Sequence, residues 1–292
     1  MSSELKTMAG PGKPSASALP TWWLLFIKEV TELWIGGKAL ILVFIYTLVL
    51  GVVTYVIANN GEFSLILPKE MIYETIETII EVCLFIGLII SADSLSGERE
   101  RNTLESLLLT SASRRQIIAG KFLACVTFWP VAFVIAILTL RILSQGDAAF
   151  GPAIFWGALL GTVLYMTYVG LGMLVSFWSN TNKTSYIVSL GIYILFLIPA
   201  EMPEHARESV MGQLLQWINP LAAVNYYFST VLVNKINFSE SLVWLQAPFV
   251  FAILVLGILF VYAAPGLRLE EGRDSSRSWL NLNQNVDMGD PS

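Results

Sequence analysis

Five stretches of this sequence, residues 39–58, 122–140, 153–178, 184–200 and 245–264, contain no Asp, Glu, Lys or Arg. A run of about 20 apolar residues is what an α-helix needs to cross the hydrocarbon of a bilayer, and in lipid a helix satisfies its own backbone donors and acceptors. A sixth segment, 71–92, is apolar in its second half and carries Glu74, Glu77 and Glu81 in its first. It is read as the second of six spans. Only 13% of the 292 residues are charged while 55% are hydrophobic. That charge is too sparse to clothe a soluble domain of this size, so ordinary soluble enzymes are excluded. The chain is expected to be an all-α integral membrane protein.

Residues 1–20 mix Gly, Pro, Ser, Ala and Lys and are expected to be a disordered leader without a secretion signal. Over 21–36, Trp23, Phe26, Ile27, Val30, Leu33 and Trp34 recur at helical spacing, with Lys28, Glu29 and Glu32 on the other face. This predicts an amphipathic helix lying along the membrane surface. Between 209 and 234 a further uncharged run is broken by Asn219-Pro220. Pro removes a donor and disfavours helix at the residue before it, so a seventh span competes here with a re-entrant hairpin. Charge decides between them, because cytoplasmic loops are enriched in Lys and Arg. With six spans and both termini inside, thirteen cations (Lys6, Lys13, Lys28, Lys38, Arg99, Arg101, Arg114, Arg115, Lys121, Lys183, Arg268, Arg273 and Arg277) lie in the cytoplasm. Four (Lys69, Arg141, Arg207 and Lys235) lie outside. The re-entrant segment 209–234 therefore belongs to the outer leaflet, before the last span, and the transmembrane domain runs over 37–264. The aromatic group Trp217, Tyr226, Tyr227 and Phe228 suits either an interfacial seat or packing. The tail 265–292, polar and without helical period over its last 21 residues, is expected in the cytoplasm.

The one long internal connection, 93–121, includes GERERNTLESLLLTSASRRQIIAGK. Asn102 with Glu105, and Ser113 with Gln116, have the spacing of capping boxes, which predicts two short amphipathic helices. Leu104, Leu107 and Leu108 give the first an apolar face with little surface of its own to cover it. Either a partner protein buries that face, or the loop is solvated and its arginines only enforce topology.

This segment resembles the cytoplasmic coupling loop of type-2 ABC exporter permeases, through Gly97, Glu98, Glu100, Thr103, Leu104, Glu105, Leu107, Leu108, Thr110, Ser113, Arg114, Gly120 and Lys121. Asn102 stands where that pattern has Gly, and Ser111 where it has Pro. The resemblance extends to the layout of surface helix, six spans and a hairpin before the last. It implies that the loop inserts into a groove of a separate ATPase subunit through Glu98, Glu100, Arg101, Thr103, Leu104, Glu105, Leu108 and Arg114. It further implies a dimer of ATPase subunits holding ATP and Mg, a second copy of this permease or a homologue, and an exporter in the plasma (inner) membrane. Membrane lipids are expected partners and nucleic acid is not. The chain has no P-loop of its own, so no cofactor is expected on it and it is not by itself an enzyme. The triplet Leu95-Ser96-Gly97 echoes an ATPase signature only by coincidence, and the single histidine, His205, falls in a polar loop.

Glu70, Glu74, Glu77 and Glu81 advance by four, three and four and so share one helix face. Glu81 lies about 15 Å along the helix from Met71, within the hydrocarbon, where an unpaired carboxylate costs several kcal/mol. Glu74, Glu77 and Glu81 either line a pathway for a cationic or amphipathic substrate, or pair structurally with Arg141, Lys235 or a hairpin backbone amide. Gly157 and Gly161 form a G-x-x-x-G for close helix contact, between subunits or within the chain. Cys83 and Cys125 sit in apolar stretches and support neither a disulfide framework nor a metal cluster. Two other classes of function compete with the exporter: an ion-coupled secondary transporter using Glu81, and a permease-like scaffold that does not transport.

Overall fold

The structure, a computed structural model, describes residues 20–59, 68–144, 146–207, 209–230 and 238–267. The leader, Lys235 and the tail arginines lie outside these residues. The elements are α1 (Thr21–Ile35), α2 (Lys38–Asn59), α3 (Pro68–Glu100), α4 (Leu104–Leu108), α5 (Arg114–Val126), α6 (Phe128–Leu143), α7 (Phe150–Trp178), α8 (Asn182–Ala200), α9 (Glu204–Arg207), α10 (Val210–Ile218), α11 (Pro220–Phe228), α12 (Phe238–Gly257), a π-helical turn (Ile258–Ala263) and α13 (Ala264–Gly266). There is no strand among the described residues. Six helices are long and apolar enough to cross a membrane: 38–59, 69–100, 114–143, 150–178, 182–200 and 244–266. The six expected spans are all present.

The second is longer than expected. Residues 93–100 continue α3 because their charges find partners within the chain, so the helix has 33 residues and a length of about 50 Å, well beyond the hydrocarbon. It ends at Asn102, which adopts the left-handed conformation (φ 57°). The Thr103 N–H bonds to Glu98 O (3.0 Å) and the Asn102 N–H to Arg99 O (3.1 Å), the double closure of a Schellman motif. Asn102 thus stops α3 instead of capping α4, whose N-cap Thr103 makes no side-chain cap bond. The second expected box is present: the Ser113 side chain accepts from the Gln116 N–H (3.3 Å) and Gln116 Oε1 from the Ser113 N–H (2.9 Å). The third span is made of α5 and α6, joined at Thr127 where Pro130 has no N–H to continue the ladder.

α3 is the centre of the bundle, packed along α7 and α8. The contact is close because small residues of one helix meet large or polar ones of another. A Cβ on Gly87 of α3 would lie 2.6 Å from the Tyr165 ring, Gly172 of α7 faces Ser91, and the Leu95 and Ser96 N–H groups donate to Ser176 Oγ (3.0 and 2.8 Å). Leu95 and Ser96, of the triplet singled out above, are buried packing residues. Gly157 and Gly161 also face the chain's own side chains, Ile76 and Trp129. Their role is internal packing. By contrast α2 turns much of its surface outward, with Phe44 68% and Tyr55 69% exposed, as suits a helix in contact with lipid.

α1 lies against α5. Gly120 makes this possible: a Cβ there would stand 3.3 Å from both Leu25 Cβ and Phe26 N. The Trp34 indole N–H donates to Thr127 Oγ1 (3.0 Å) at the other end of the contact.

Candidate functional site

Two polar constellations occupy the two ends of α3. The first gathers the start of α2, the end of α3, the start of α5 and the start of α8. Lys121, only 2% exposed, donates to Glu98 Oε1 (2.7 Å) and Glu29 Oε2 (3.0 Å), joining the surface helix α1 to the end of α3 through α5. Lys28 adds ion pairs with Glu29 (3.2 Å), Glu32 (3.5 Å) and Glu98 (3.8 Å). Burial pushes the Glu29 carboxyl up, but Lys121 and Lys28 beside it outweigh burial and hold it below its usual range. Lys38 at the start of α2 pairs with Asp93, whose other oxygen accepts from Asn182 Nδ2 (2.6 Å). Glu100 accepts from the Asn182 N–H (3.1 Å), and Arg99 bonds to Ser179 O, so the turn between α7 and α8 is held to the end of α3. Arg114 donates to Pro265 O (3.2 Å) and fastens the last helix.

Upon this framework sits α4. Its apolar face is covered by the chain itself: Leu104 is 7% and Leu107 8% exposed, and Leu108 packs against the core. The expectation that this face lacks a surface of its own is corrected, because the continuation of α3 supplies one. The exposed residues of the turn include Arg101, Thr103, Glu105, Arg114 and Leu109, the last 75% exposed. Leu109 was not singled out in the sequence, where it reads as one more leucine of a run. Glu98 faces inward to Lys121, and Glu100 toward α8.

The second constellation lies at the opposite end of α3. Glu77, Glu81 and Glu201 place carboxylate oxygens within 4.8 Å of one another. Asn225 of α11 donates from Nδ2 to Glu77 and to Glu81 (3.2 Å), and Tyr193 donates to the Glu81 backbone oxygen (3.2 Å). The stripe is therefore partnered from the broken segment by a side-chain amide, where the expected alternative was a backbone one. Arg141 is not that partner: its guanidinium sits over the Phe150 ring, 5.3 Å from the centroid. Glu74, Glu77 and Glu81 border a cavity of about 1000 Å³ together with Glu201, Gln216 and Trp244. The broken segment behind it forms two nine-residue helices, α10 and α11, that meet at Asn219. The Asn219 side chain caps α11 by accepting from the Leu221 and Ala222 N–H groups (2.9 and 3.3 Å), and Pro220 begins that helix. The aromatic group divides: Tyr227 and Phe228 are buried, while Trp217 and Tyr226 meet the Trp244 ring at 5.2 and 4.2 Å.

Residues 23–270 match the ABC-2 family transporter protein family. Among characterised proteins, the chain is similar to the ABC transporter permease protein NatB of Bacillus subtilis (strain 168), 41% identical over 132 residues. That alignment covers 39% of this chain and 34% of NatB, so it spans about a third of that protein. With the family match extending from the surface helix through the last span, and six helices able to cross a membrane, the chain belongs to the ABC-2 family transporter proteins and is a multi-pass membrane protein.

Proposed function

We propose that this permease couples ATP hydrolysis by a separate nucleotide-binding subunit to export of a substrate across the plasma (inner) membrane. ATP and Mg would be bound by that subunit, and two permease copies, or this chain and a homologue, would sit on an ATPase dimer. The observation that carries the reading is the exposed turn at the end of α3. Leu109 is 75% exposed on a segment where Thr103, Glu105 and Arg114 are exposed too, whereas Leu104 and Leu107 are buried in the chain itself. A solvent-exposed leucine on a segment of exposed polar residues suits a protein contact, with an apolar anchor and a polar rim. The framework below is suited to transmit force. Glu98, Lys121 and Glu29 tie α3, α5 and α1 into one unit, so a push on α4 reaches both the surface helix and the longest span. In this scheme Arg101, Thr103, Leu109, Glu105 and Arg114 touch the ATPase, whereas Glu98, Glu100, Leu104 and Leu108 shape the surface from beneath.

The end carrying Glu98 and Lys121 is assigned to the cytoplasm, along with both termini, because it collects Lys28, Lys38, Arg99, Arg101, Arg114, Arg115 and Lys121. The cavity and the pair α10–α11 then belong to the outer half, with α10 and α11 as a re-entrant hairpin, and Glu74, Glu77 and Glu81 line the path. Reconstitution tests the reading. Purified permease in nanodiscs, mixed with an ABC ATPase subunit from the same cells, should raise ATP hydrolysis and copurify with it. A permease that neither copurifies with nor stimulates that ATPase would instead support an ion-coupled transporter using Glu81 or a scaffold.

A further inference from the structure

We propose that the cavity bordered by α1, α2, α3, α5 and α8 holds the headgroup of an amine-bearing phospholipid, a phosphate and a primary ammonium on one short linker, as in phosphatidylethanolamine. The inference goes beyond the coupling reading and needs only the membrane-spanning fold. The cavity has a volume of about 340 Å³. Its depth suits a lipid. Lys38 opens α2 and Ile41 and Leu42 lie one turn further along it, while on α3 Ile89 and Ile90 lie one turn before Asp93. Charged residues and apolar wall therefore meet at one level, where a span passes from headgroups into hydrocarbon. Ile41 is 62% exposed on the outward surface of α2, which leaves acyl chains a way out into the bilayer. The volume fits a headgroup and the glycerol beneath it, not a whole lipid.

The charges around the cavity fall into two groups of opposite sign. In one, Lys38 and Arg101 share a single carboxylate, Asp93, so positive charge is in excess. In the other, Lys28 and Lys121 meet three carboxylates, Glu29, Glu32 and Glu98, so negative charge is in excess. Glu98 supplies an independent sign of an absent cation. Its Oε1 takes Lys121 at 2.7 Å and Lys28 at 3.8 Å, but its Oε2 is buried without a hydrogen-bond partner among the described residues. Buried carboxylate oxygens are rarely left so, and an ammonium brings three donors. A small turn of the carboxyl group presents that oxygen to the cavity while Lys121 stays on the other. A phosphate at Lys38 and Arg101 and an ammonium at Glu32 and Glu98 complement both groups with one molecule. An anionic lipid without an amine answers only the first, and a choline headgroup has no N–H to donate to Glu98.

The test is native mass spectrometry of the purified protein, without any ATPase, titrated with phosphatidylethanolamine, phosphatidylglycerol and phosphatidylcholine of the same acyl chains. One saturable phosphatidylethanolamine adduct per chain is expected, about fivefold tighter than either other lipid, the worth of one partly exposed ion pair. K38M should weaken phosphatidylethanolamine and phosphatidylglycerol alike, by about fivefold. E32Q should leave phosphatidylglycerol unchanged and cut the preference for phosphatidylethanolamine to about twofold or less. Both side chains are half exposed, so the fold should tolerate either change, and if K38M fails to fold, E32Q alone decides. Equal affinities for the three lipids in the wild type, or a preference for phosphatidylethanolamine that E32Q leaves intact, would overturn the proposal. So would displacement of the lipid by soluble glycerophosphoethanolamine at equal concentration, which would give the site to a water-borne amino phosphate. Because no ATPase is present, these outcomes are separate from the coupling reading, which stimulation of ATP hydrolysis tests on its own.

Discussion

The two ends of α3 handle the same problem, carboxylates at or near a membrane, in opposite ways. At the coupling end Asp93, Glu98 and Glu29 each face a lysine within the chain, and Lys121 is so enclosed that it is 2% exposed. At the other end Glu81 and Glu201 face a third carboxylate, an amide and a cavity. Paired charges with fixed geometry make a rigid joint, since breaking one leaves its partner buried and uncompensated. Carboxylates gathered around one amide beside open volume make a looser arrangement. The contrast is the reason for proposing that the paired end, and not the cavity end, transmits force.

The sharpest way to break this contrast is to remove one charge from each end. K121M should destabilise the permease by about 3 kcal/mol, because Glu98 and Glu29 lose their buried cation and keep only the more exposed Lys28. E81Q should leave the thermal unfolding midpoint of the detergent-solubilised protein unchanged or raise it, since a like-charge contact is relieved. Equal losses in the two variants would show that both ends are structural. Next in size is G161L. A Cβ at that position already comes to 2.5 Å from the Trp129 ring, so overpacking should cost about 1–3 kcal/mol. If Gly157 and Gly161 instead formed a subunit contact, G161L would dissociate the dimer in size-exclusion chromatography with little change in midpoint.

Much of this architecture is legible in the sequence, and what escapes does so for identifiable reasons. Uncharged runs mark the spans because lipid imposes one requirement on every residue of a helix. The end of α3 is hidden because Arg99, Glu100 and Glu98 look like loop residues until their partners, Ser179, Asn182 and Lys121, are brought alongside by folding. The stripe Glu74, Glu77, Glu81 is visible through its helical spacing, whereas Asn225, 144 residues from Glu81, carries no local sign of being its partner. Leu109 could not be told from Leu104 by composition. A single residue's step around a short helix separates a buried leucine from an exposed one.

Smaller effects on stability sharpen the same comparison. L109D combined with E105K should change stability by no more than about 0.5 kcal/mol, as both side chains are exposed, while abolishing stimulation of the ATPase. A fall in midpoint comparable to that of K121M would place these residues in the joint itself. The smallest effect is on pH dependence. The Glu29 carboxyl is held below its ordinary value of 4.5, so its contribution is complete above that value and is lost as pH falls through the depressed folded-state pKa. The difference in midpoint between wild type and E29Q should therefore be constant above about pH 5 and shrink below it. A difference that grows on acidification would contradict the pairing of Glu29 with Lys121 and Lys28.

The central claim, that the turn after α3 is the surface that meets a separate ATPase, is tested most directly by site-specific photocrosslinking in the assembled complex. A benzophenone amino acid in place of Leu109 should yield an adduct between permease and ATPase, and the same group in place of Ile142, exposed at the far end of α6, should yield none. No adduct from position 109, or equal adducts from both positions, would contradict the account.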